Sequence, residues 1–198
     1  MDENSPSGGL YQNLLDCVDS LSSPRTLCWD SLPELDLYMD QVIVFMEKRL
    51  ALFGDGRDKL VTPSMINNYV KLGLIPPPVK KKYSREHLSR LTAICILKSL
   101  LPIPVISYLT DKCAEPAGLP PAFDQFIQTQ QAALAQAAQQ ARVQIEEAGA
   151  AEETESRRQS LAQLALNLAA QANASRVLAE KIALLLQRQE QEEKETKK

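Results

Sequence analysis

The chain has 198 residues, a formal net charge of −3, an apolar content of 44% and a charged content of 24%, values typical of a globular protein with one ordinary domain and an extension, or with two small domains. None of its four cysteines belongs to a Cys-x-x-Cys pair, and the single histidine, His87, has no ligand-like neighbour in sequence, so we expect neither a metal site nor a cofactor. The acidic, polar N-terminus carries no signal peptide, which predicts a cytoplasmic protein with reduced thiols.

The first third of the chain predicts two helices on either side of a tryptophan. Apolar residues at helical spacing over residues 10–21 indicate an accessory helix, within an accessory segment of residues 1–34. Trp29, the only tryptophan, is expected to anchor a core or an interface. Asp36 can cap a second helix that runs to about Phe53. After it, a connector over residues 54–61 separates this helix from the next and predicts a short extended piece at its end.

The next predicted helix has one apolar and one polar face. Thr62 is a suitable N-cap, Pro63 a suitable first residue and Gly73 a suitable C′ stop. At about 100° per residue, the polar residues fall on one arc, and the opposite, apolar arc consists of Met65, Ile66, Tyr69, Val70 and Leu72. The polar arc consists of Ser64, Asn67, Asn68 and Lys71. Because asparagine is a poor helix former but pairs well with adenine edges, this arc predicts a face that contacts another molecule.

A cationic loop follows this helix. Three prolines at 76–78 forbid further helix, and Lys80, Lys81 and Lys82 then precede Tyr83 and the predicted N-cap Ser84. Residues 57–98 contain nine Lys and Arg against Asp58 and Glu86, a local balance of +7, so the remainder of the chain carries −10. Binding follows the local field, so this segregation favours a polyanionic partner.

Residues 65–91, MINNYVKLGLIPPPVKKKYSREHLSRL, resemble the start of a MerR-type winged helix-turn-helix. The residues that fit the pattern are Ile66, Tyr69, Lys71, Gly73, Leu74, Tyr83 and Ser84. Asn67 stands where the MerR pattern has an arginine. The whole chain resembles a poorly characterised family of small Gram-positive bacterial proteins that are labelled as transcriptional regulators. The resemblance implies an all-α, winged helix-turn-helix domain at residues 35–113 that places helix 63–73 in the major groove of DNA and basic wing 76–83 on phosphates.

The most apolar window of the chain, Leu91–Leu109, is about as long as a membrane span. It contains Lys98, Pro102 and Pro104. We therefore predict two core helices, one from Ser84 to about 101 and one from Pro104 to about 111, and no membrane span.

A Pro/Gly-rich linker at 114–121 separates this domain from an Ala/Gln-rich helical module at 122–190 and a charged tail at 191–198. The first helix of the module has an apolar stripe, composed of residues 123, 126, 127, 134, 138, 141 and 145. The second, from about 152 to 190, carries a heptad seam formed by Leu161, Leu164, Leu168, Gln171, Ser175, Leu178, Ile182 and Leu185. These two helices form either an intrachain hairpin or an interchain coiled coil.

From these features we predict a sequence-specific DNA-binding transcriptional regulator. Its expected contacts with double-stranded DNA are Ser64, Asn67, Asn68, Tyr69, Lys71, Lys80, Lys81, Lys82, Tyr83 and Arg85. A homodimer through the C-terminal helices is expected, because two linked copies would read a palindrome. No Ser/His/Asp set, P-loop or G-x-G-x-x-G motif is present, so we expect no enzyme. The alternative is a helical protein-interaction adaptor; an effector ligand, the operator and the sign of regulation are left open.

Overall fold

A computed structural model describes residues 6–22, 27–54, 59–149 and 154–196. Over these ranges the chain is mostly helical, as predicted, with a small two-stranded sheet. The helices are α1 (Pro6–Ser22), α2 (Met39–Arg49), α3 (Pro63–Lys71), α4 (Arg85–Leu97), α5 (Ile103–Ala114), α6 (Leu119–Gly149) and α7 (Thr154–Thr196). The strands are β1 (Leu37–Tyr38) and β2 (Lys82–Tyr83).

The sheet places the residues before α2 beside the residues before α4. Strands β1 and β2 are antiparallel, with Leu37 opposite Tyr83 and Tyr38 opposite Lys82. The predicted start of the second helix at Asp36 is therefore wrong, since residues 37 and 38 pair across the sheet and the helix begins at Met39. The side-chain oxygen of Gln41 accepts the Tyr38 N–H at 2.9 Å and so closes this helix end.

The described contacts divide the chain into two compact units, the first formed by residues 1–25 and 128–177. Its core joins three helices through Val18 of α1, Ala138, Ala141 and Ile145 of α6, and Leu164 of α7. Arg142 pairs with Asp19 across the same helices. The first third of the predicted heptad seam is thus buried within the chain, because Leu161 and Leu168 pack against this core as well.

The second unit comprises residues 26–127 and 178–198 and has the larger core. Helix α2 buries Val42, Ile43 and Met46, and Leu50 directly after it is buried as well. From other helices the core includes the fully buried side chains of Ile66 of α3, Leu88, Leu91 and Ile94 of α4, and Ile106 of α5. Burying each of these side chains contributes on the order of 1.5–3 kcal/mol.

Trp29 packs against this core, in agreement with its predicted role as an anchor. Its ring meets Phe123 edge to face, with centroids 6.3 Å apart. Its backbone N–H donates to Asp124 Oδ1 at 2.6 Å. Both partners belong to α6, so the first turns of α6 are part of the second unit's core.

This packing differs from the division that the sequence predicts. Helix α5 continues to Ala114 and α6 begins at Leu119, inside the Pro/Gly-rich segment assigned as a linker. Phe123 and Ile127 are buried in the second unit, so the division by contacts falls after Ile127. The predicted apolar stripe of α6 is confirmed, since Phe123, Ile127 and the three core residues of the first unit are its most buried members.

The last turns of α7 belong to the second unit and contact α5 there. Glu190 accepts a hydrogen bond from the Tyr108 hydroxyl at 3.0 Å and lies 2.9 Å from the Lys112 ammonium. The hydrogen bonds of Lys112 to Glu115 and Glu190 raise the pKa of Lys112. Ala183 is buried on this side, whereas Leu178, Ile182 and Leu185 are exposed.

No helix in the described ranges combines the length and the apolarity that a membrane crossing requires. The apolar window Leu91–Leu109 falls in the end of α4 and the start of α5, as predicted.

Candidate nucleic-acid interface

The termini of α3 follow from its sequence. Thr62 Oγ1 accepts the Met65 N–H at 3.2 Å, and Pro63 is the first helical residue. At the other end Gly73 has a φ of 69°, its N–H donates to the Val70 carbonyl at 3.0 Å, and the next N–H donates to the Tyr69 carbonyl at 2.9 Å. This is a Schellman cap. The predicted N-cap, first residue and C′ glycine are all confirmed.

The two faces of α3 have different surroundings. Ile66 and Tyr69 are buried, at 0% and 4% exposure. The opposite side, which we call the polar face of α3, consists of Ser64, Asn67, Asn68 and Lys71, and all four are exposed. Within the described part of the chain their side chains have no hydrogen-bond or ion-pair partner. The donors and acceptors of this face are therefore available to another molecule.

A tight turn with two lysines at its centre precedes β2. Val79 and Lys82 exchange backbone hydrogen bonds of 3.1 and 2.9 Å, while Lys80 and Lys81 have φ of 50° and 65°. We call residues Val79–Lys82 the lysine turn. Positive φ at both central positions is the requirement of a type I′ turn, which favours Asn-Gly. Two lysines in this conformation are strained, and such strain concentrates at functional sites.

Buried side chains hold the lysine turn in place. Tyr83 is 3% exposed and meets His87 edge to face, with ring centroids 5.4 Å apart. His87 Nδ1 accepts the Ser84 N–H at 3.0 Å, so the ring proton is on Nε2, which faces the Pro77 carbonyl at 3.4 Å. One histidine thus caps α4 and contacts the proline segment before the turn.

Three of the predicted contact residues are engaged within the protein. Tyr69 and Tyr83 lie in the core, where burial raises the pKa of both phenols, and neither belongs to the exposed surface. Arg85 Nε donates to the Leu32 carbonyl at 3.1 Å, and its guanidinium lies 3.6 Å from Glu34. Arg85 is therefore engaged in tertiary contacts. Helical spacing had placed Tyr69 on the apolar arc, which was the signal for its burial.

Several other cations of residues 57–98 also have protein partners. The Lys82 ammonium lies 5.2 Å above the Tyr38 ring. Arg90 pairs with Glu86 at 3.3 Å and with Asp111 at 2.6 Å. Lys98 donates to the Leu60 carbonyl.

Most of the unpaired positive charge of this segment lies in two places. Among the described residues of this segment, Lys59, Lys71, Lys80 and Lys81 are exposed and have no ion-pair partner; Arg57 lies outside the described residues. One of these four is on the polar face of α3, two are at the tip of the lysine turn, and Lys59 precedes α3. Three of the four unpaired cations thus lie on the elements that the sequence singles out.

Helix α2 is the scaffold shared by these elements, because it contacts both α3 and β2. A second support was not foreseen from sequence, since Ser107 Oγ of α5 donates to the Leu74 carbonyl at 3.1 Å. This bond fixes the chain where it leaves α3. Only tertiary packing brings α5 to that point.

Sequence analysis also missed exposed apolar side chains beside the polar ones. Leu72 and Val79 are 60% and 66% exposed, and Met65 is 37% exposed. Two of the three were assigned to the apolar arc of α3, whose edges the structure leaves in solvent. Apolar side chains at such positions can contact thymine methyl groups.

The described residues contain no group of three or more His, Cys, Asp or Glu side chains placed to hold a metal ion. Cys17, Cys28, Cys95 and Cys113 are free thiols. The chemistry of this surface therefore comes from amide, hydroxyl and ammonium groups.

Residues 27–117 match the model of a family described as a domain of unknown function (DUF1836). The match contains α3 and the lysine turn and ends before α6. It agrees with the predicted resemblance to a poorly characterised family, whereas the resemblance to MerR-type regulators stays a prediction. No curated protein and no solved structure matches the chain.

Proposed function

We propose that this protein is a sequence-specific DNA-binding transcriptional regulator with a winged helix-turn-helix in its second unit. In this arrangement α2 is the supporting helix, α3 the recognition helix and the lysine turn the tip of the wing. The observation that carries the proposal is the lysine turn. Lys80 and Lys81 occupy a backbone conformation that disfavours lysine, yet both are exposed and have no ion-pair partner in the described chain.

The polar face of α3 supports base readout. An α-helix such as α3 is about 10–12 Å wide with its side chains, and a major groove about 12 Å wide admits it. Asn67 and Asn68 can pair with adenine N6 and N7, and Lys71 can reach guanine or a phosphate. The proposed contacts are therefore Ser64, Asn67, Asn68 and Lys71 to bases and Lys80 and Lys81 to phosphates, with Lys82 beside them.

Titration of salt tests the phosphate contacts. Fluorescence anisotropy would measure binding to the DNA upstream of the protein's own gene and to unrelated DNA. Each phosphate contact contributes about 0.9 to the slope of log affinity against log salt. Replacing Lys80 and Lys81 with alanine should therefore lower the slope by about 2 and weaken binding to both DNAs alike. Lys194→Ala, which removes an exposed lysine near the end of α7 and away from the heptad seam, is the matched control.

Base readout has a different signature. Asn67→Ala or Asn68→Ala should reduce the preference for the specific site by about 1–3 kcal/mol and leave non-specific binding nearly unchanged. Uniform weakening would argue against base contacts.

For the phosphate contacts, an unchanged salt slope in the variant with Lys80 and Lys81 replaced by alanine would show that the lysine turn is not part of the interface.

We further propose that two copies of the chain associate through the last turns of α7. Leu178, Ile182 and Leu185 continue the heptad seam at 60%, 50% and 63% exposure. In a parallel pair of such helices, Arg188 of one copy would oppose Glu193 of the other at flanking heptad positions. One small domain makes few DNA contacts, and linking two of them raises affinity without any new contact.

The alternative function is a helical protein-interaction adaptor. The same exposed residues of α7 favour it, since an exposed apolar stripe fits a partner helix as well as a second copy. Absence of any gel shift with genomic DNA fragments, together with a full-length monomer in solution, would favour the adaptor.

A further inference from the structure

A cavity of about 210 Å³ lies within the second unit, between α4, α5 and the first turns of α6. The cavity is partly open to solvent, because Leu109, Thr110 and Phe126 of its lining are only half-buried. Covering such apolar surface with an apolar molecule is favourable. Alanines at two lining positions, Ala93 of α4 and Ala122 of α6, leave the space open. Cys113 also lines it and is exposed, so the cavity opens to the surface at that residue.

The lining defines the chemistry of an occupant. It contains no charged side chain. Its two hydroxyls are already engaged, since Ser89 Oγ donates to the Glu86 carbonyl at 2.9 Å and Thr110 Oγ donates to the Ile106 carbonyl at 2.8 Å. The remaining residues of the lining, apart from the Cys113 thiol, are aliphatic or aromatic. A charged or strongly polar ligand would lose its hydration without compensation here.

The volume limits the size of the occupant. An apolar cavity of about 150 Å³ in another protein stays dry and binds benzene. In proportion, this cavity encloses roughly eight carbon atoms, and its opening to solvent leaves room for a second ring. We propose that it is a binding site for a small, uncharged, apolar molecule, such as a compound with one or two rings or a short hydrocarbon chain.

Trp29 provides a built-in reporter of occupancy. Phe123 lines the cavity and also contacts the Trp29 ring, at 6.3 Å between centroids. Trp29 is the only tryptophan in the chain. A ligand that packs against Phe123 should therefore change the emission of a single, identified fluorophore.

The test uses the full-length protein and two probes, p-xylene and naphthalene. Each should change Trp29 emission saturably and raise the temperature of unfolding as its concentration increases. Benzoate and 2-naphthoate have similar rings and a negative charge. They should bind at least tenfold more weakly, because the lining offers a carboxylate no free partner.

Two variants that fill the cavity show whether the signal comes from this site. Ala93→Leu and Ala122→Leu should each weaken probe binding at least tenfold without lowering the unfolding temperature. Ala162→Leu, at an exposed position of α7, should bind the probes as the unchanged protein does. Ala122 is only half-buried, so its variant keeps the test valid if Ala93→Leu fails to fold.

Three results would overturn the proposal: no saturable response to either neutral probe, undiminished binding by a folded Ala122→Leu variant, or equal affinity for naphthalene and 2-naphthoate. None of these measurements involves DNA. The proposed site and the proposed DNA-binding function therefore stand or fall separately.

Discussion

At the scale of single residues, Cys95 makes the stability of the second unit sensitive to alkaline pH. Its side chain is 3% exposed, and burial raises the pKa of the thiol to about 11, against a smaller opposing effect of Lys98. The unfolded thiol ionises near pH 9. The neutral thiol's contribution to the free energy of unfolding is fully present below pH 9 and is lost as the pH rises through 11. The complete loss amounts to about 2–3 kcal/mol. Burial also raises the pKa of Tyr69 and Tyr83, which acts in the same direction.

Urea unfolding followed by Trp29 fluorescence at pH 7, 9, 10 and 11 measures this loss. Cys95→Ala should be less stable at pH 7 but should lose about 2 kcal/mol less than the unchanged protein between pH 9 and 11. Ile96→Val is the matched control, because it removes a buried methyl group beside Cys95 and keeps the thiol. A pH dependence that is the same in Cys95→Ala and in the unchanged protein would contradict the assignment.

At the scale of elements, a variant of the lysine turn should change stability and DNA binding in opposite directions. Replacing Lys80 by Asn and Lys81 by Gly supplies the pair that a type I′ turn favours. Relief of the strained φ angles outweighs the added freedom of glycine in the unfolded chain, so we expect a gain of about 1 kcal/mol in the free energy of unfolding. DNA affinity should fall, because both exposed cations are lost.

Lys80→Arg is the control for this variant, since it keeps both the charge and the strain and should change neither property. A loss of stability in the Asn-Gly variant would contradict the turn geometry. A gain of stability with unchanged DNA affinity would show that the two lysines do not contact DNA.

The elements also show which parts of the fold the sequence could predict. The ends of α3 follow from local chemistry, since Thr62, Pro63 and Gly73 act on backbone groups within a few residues. Strand β1 could not be predicted in this way. Its two residues become a strand only by pairing with Tyr83 and Lys82, which lie 46 and 44 positions further along the chain.

In the candidate site, the sequence predicts which side chains are exposed better than which ones are buried or engaged in tertiary contacts. The polar face of α3 is exposed as its spacing indicates, and the spacing of Tyr69 indicated the opposite face. Arg85 gave no such signal. Its partners Leu32 and Glu34 lie about 50 residues earlier in the chain, so only the folded structure shows that it is engaged.

At the scale of the whole molecule, the folded chain pairs some of its cations with carboxylates and leaves others unpaired. Residues 57–98 carry +7 and the rest −10, but the structure pairs Arg85 and Arg90 with carboxylates. Surface ion pairs of this kind contribute about 0–1 kcal/mol each. Their effect on the proposed function is larger, because they leave the polar face of α3 and the lysine turn with three of the four exposed, unpaired lysines among the described residues of this segment. A field set by those few lysines should be strongly screened by salt.

The heptad seam of α7 has one part that packs within the chain and another part that is exposed. Leu164 is buried in the first unit's own core, whereas Leu178, Ile182 and Leu185 are exposed. Replacing these three by glutamine should convert a dimer to a monomer, which sedimentation equilibrium measures directly. Leu166→Gln, at 65% exposure outside the seam, should remain dimeric.

The triple variant should bind DNA that carries two half-sites about 100-fold more weakly than the unchanged protein does. Its affinity for DNA that carries one half-site should change little. A monomeric parent protein at high micromolar concentration would refute the dimer and leave the adaptor as the function that this stripe favours.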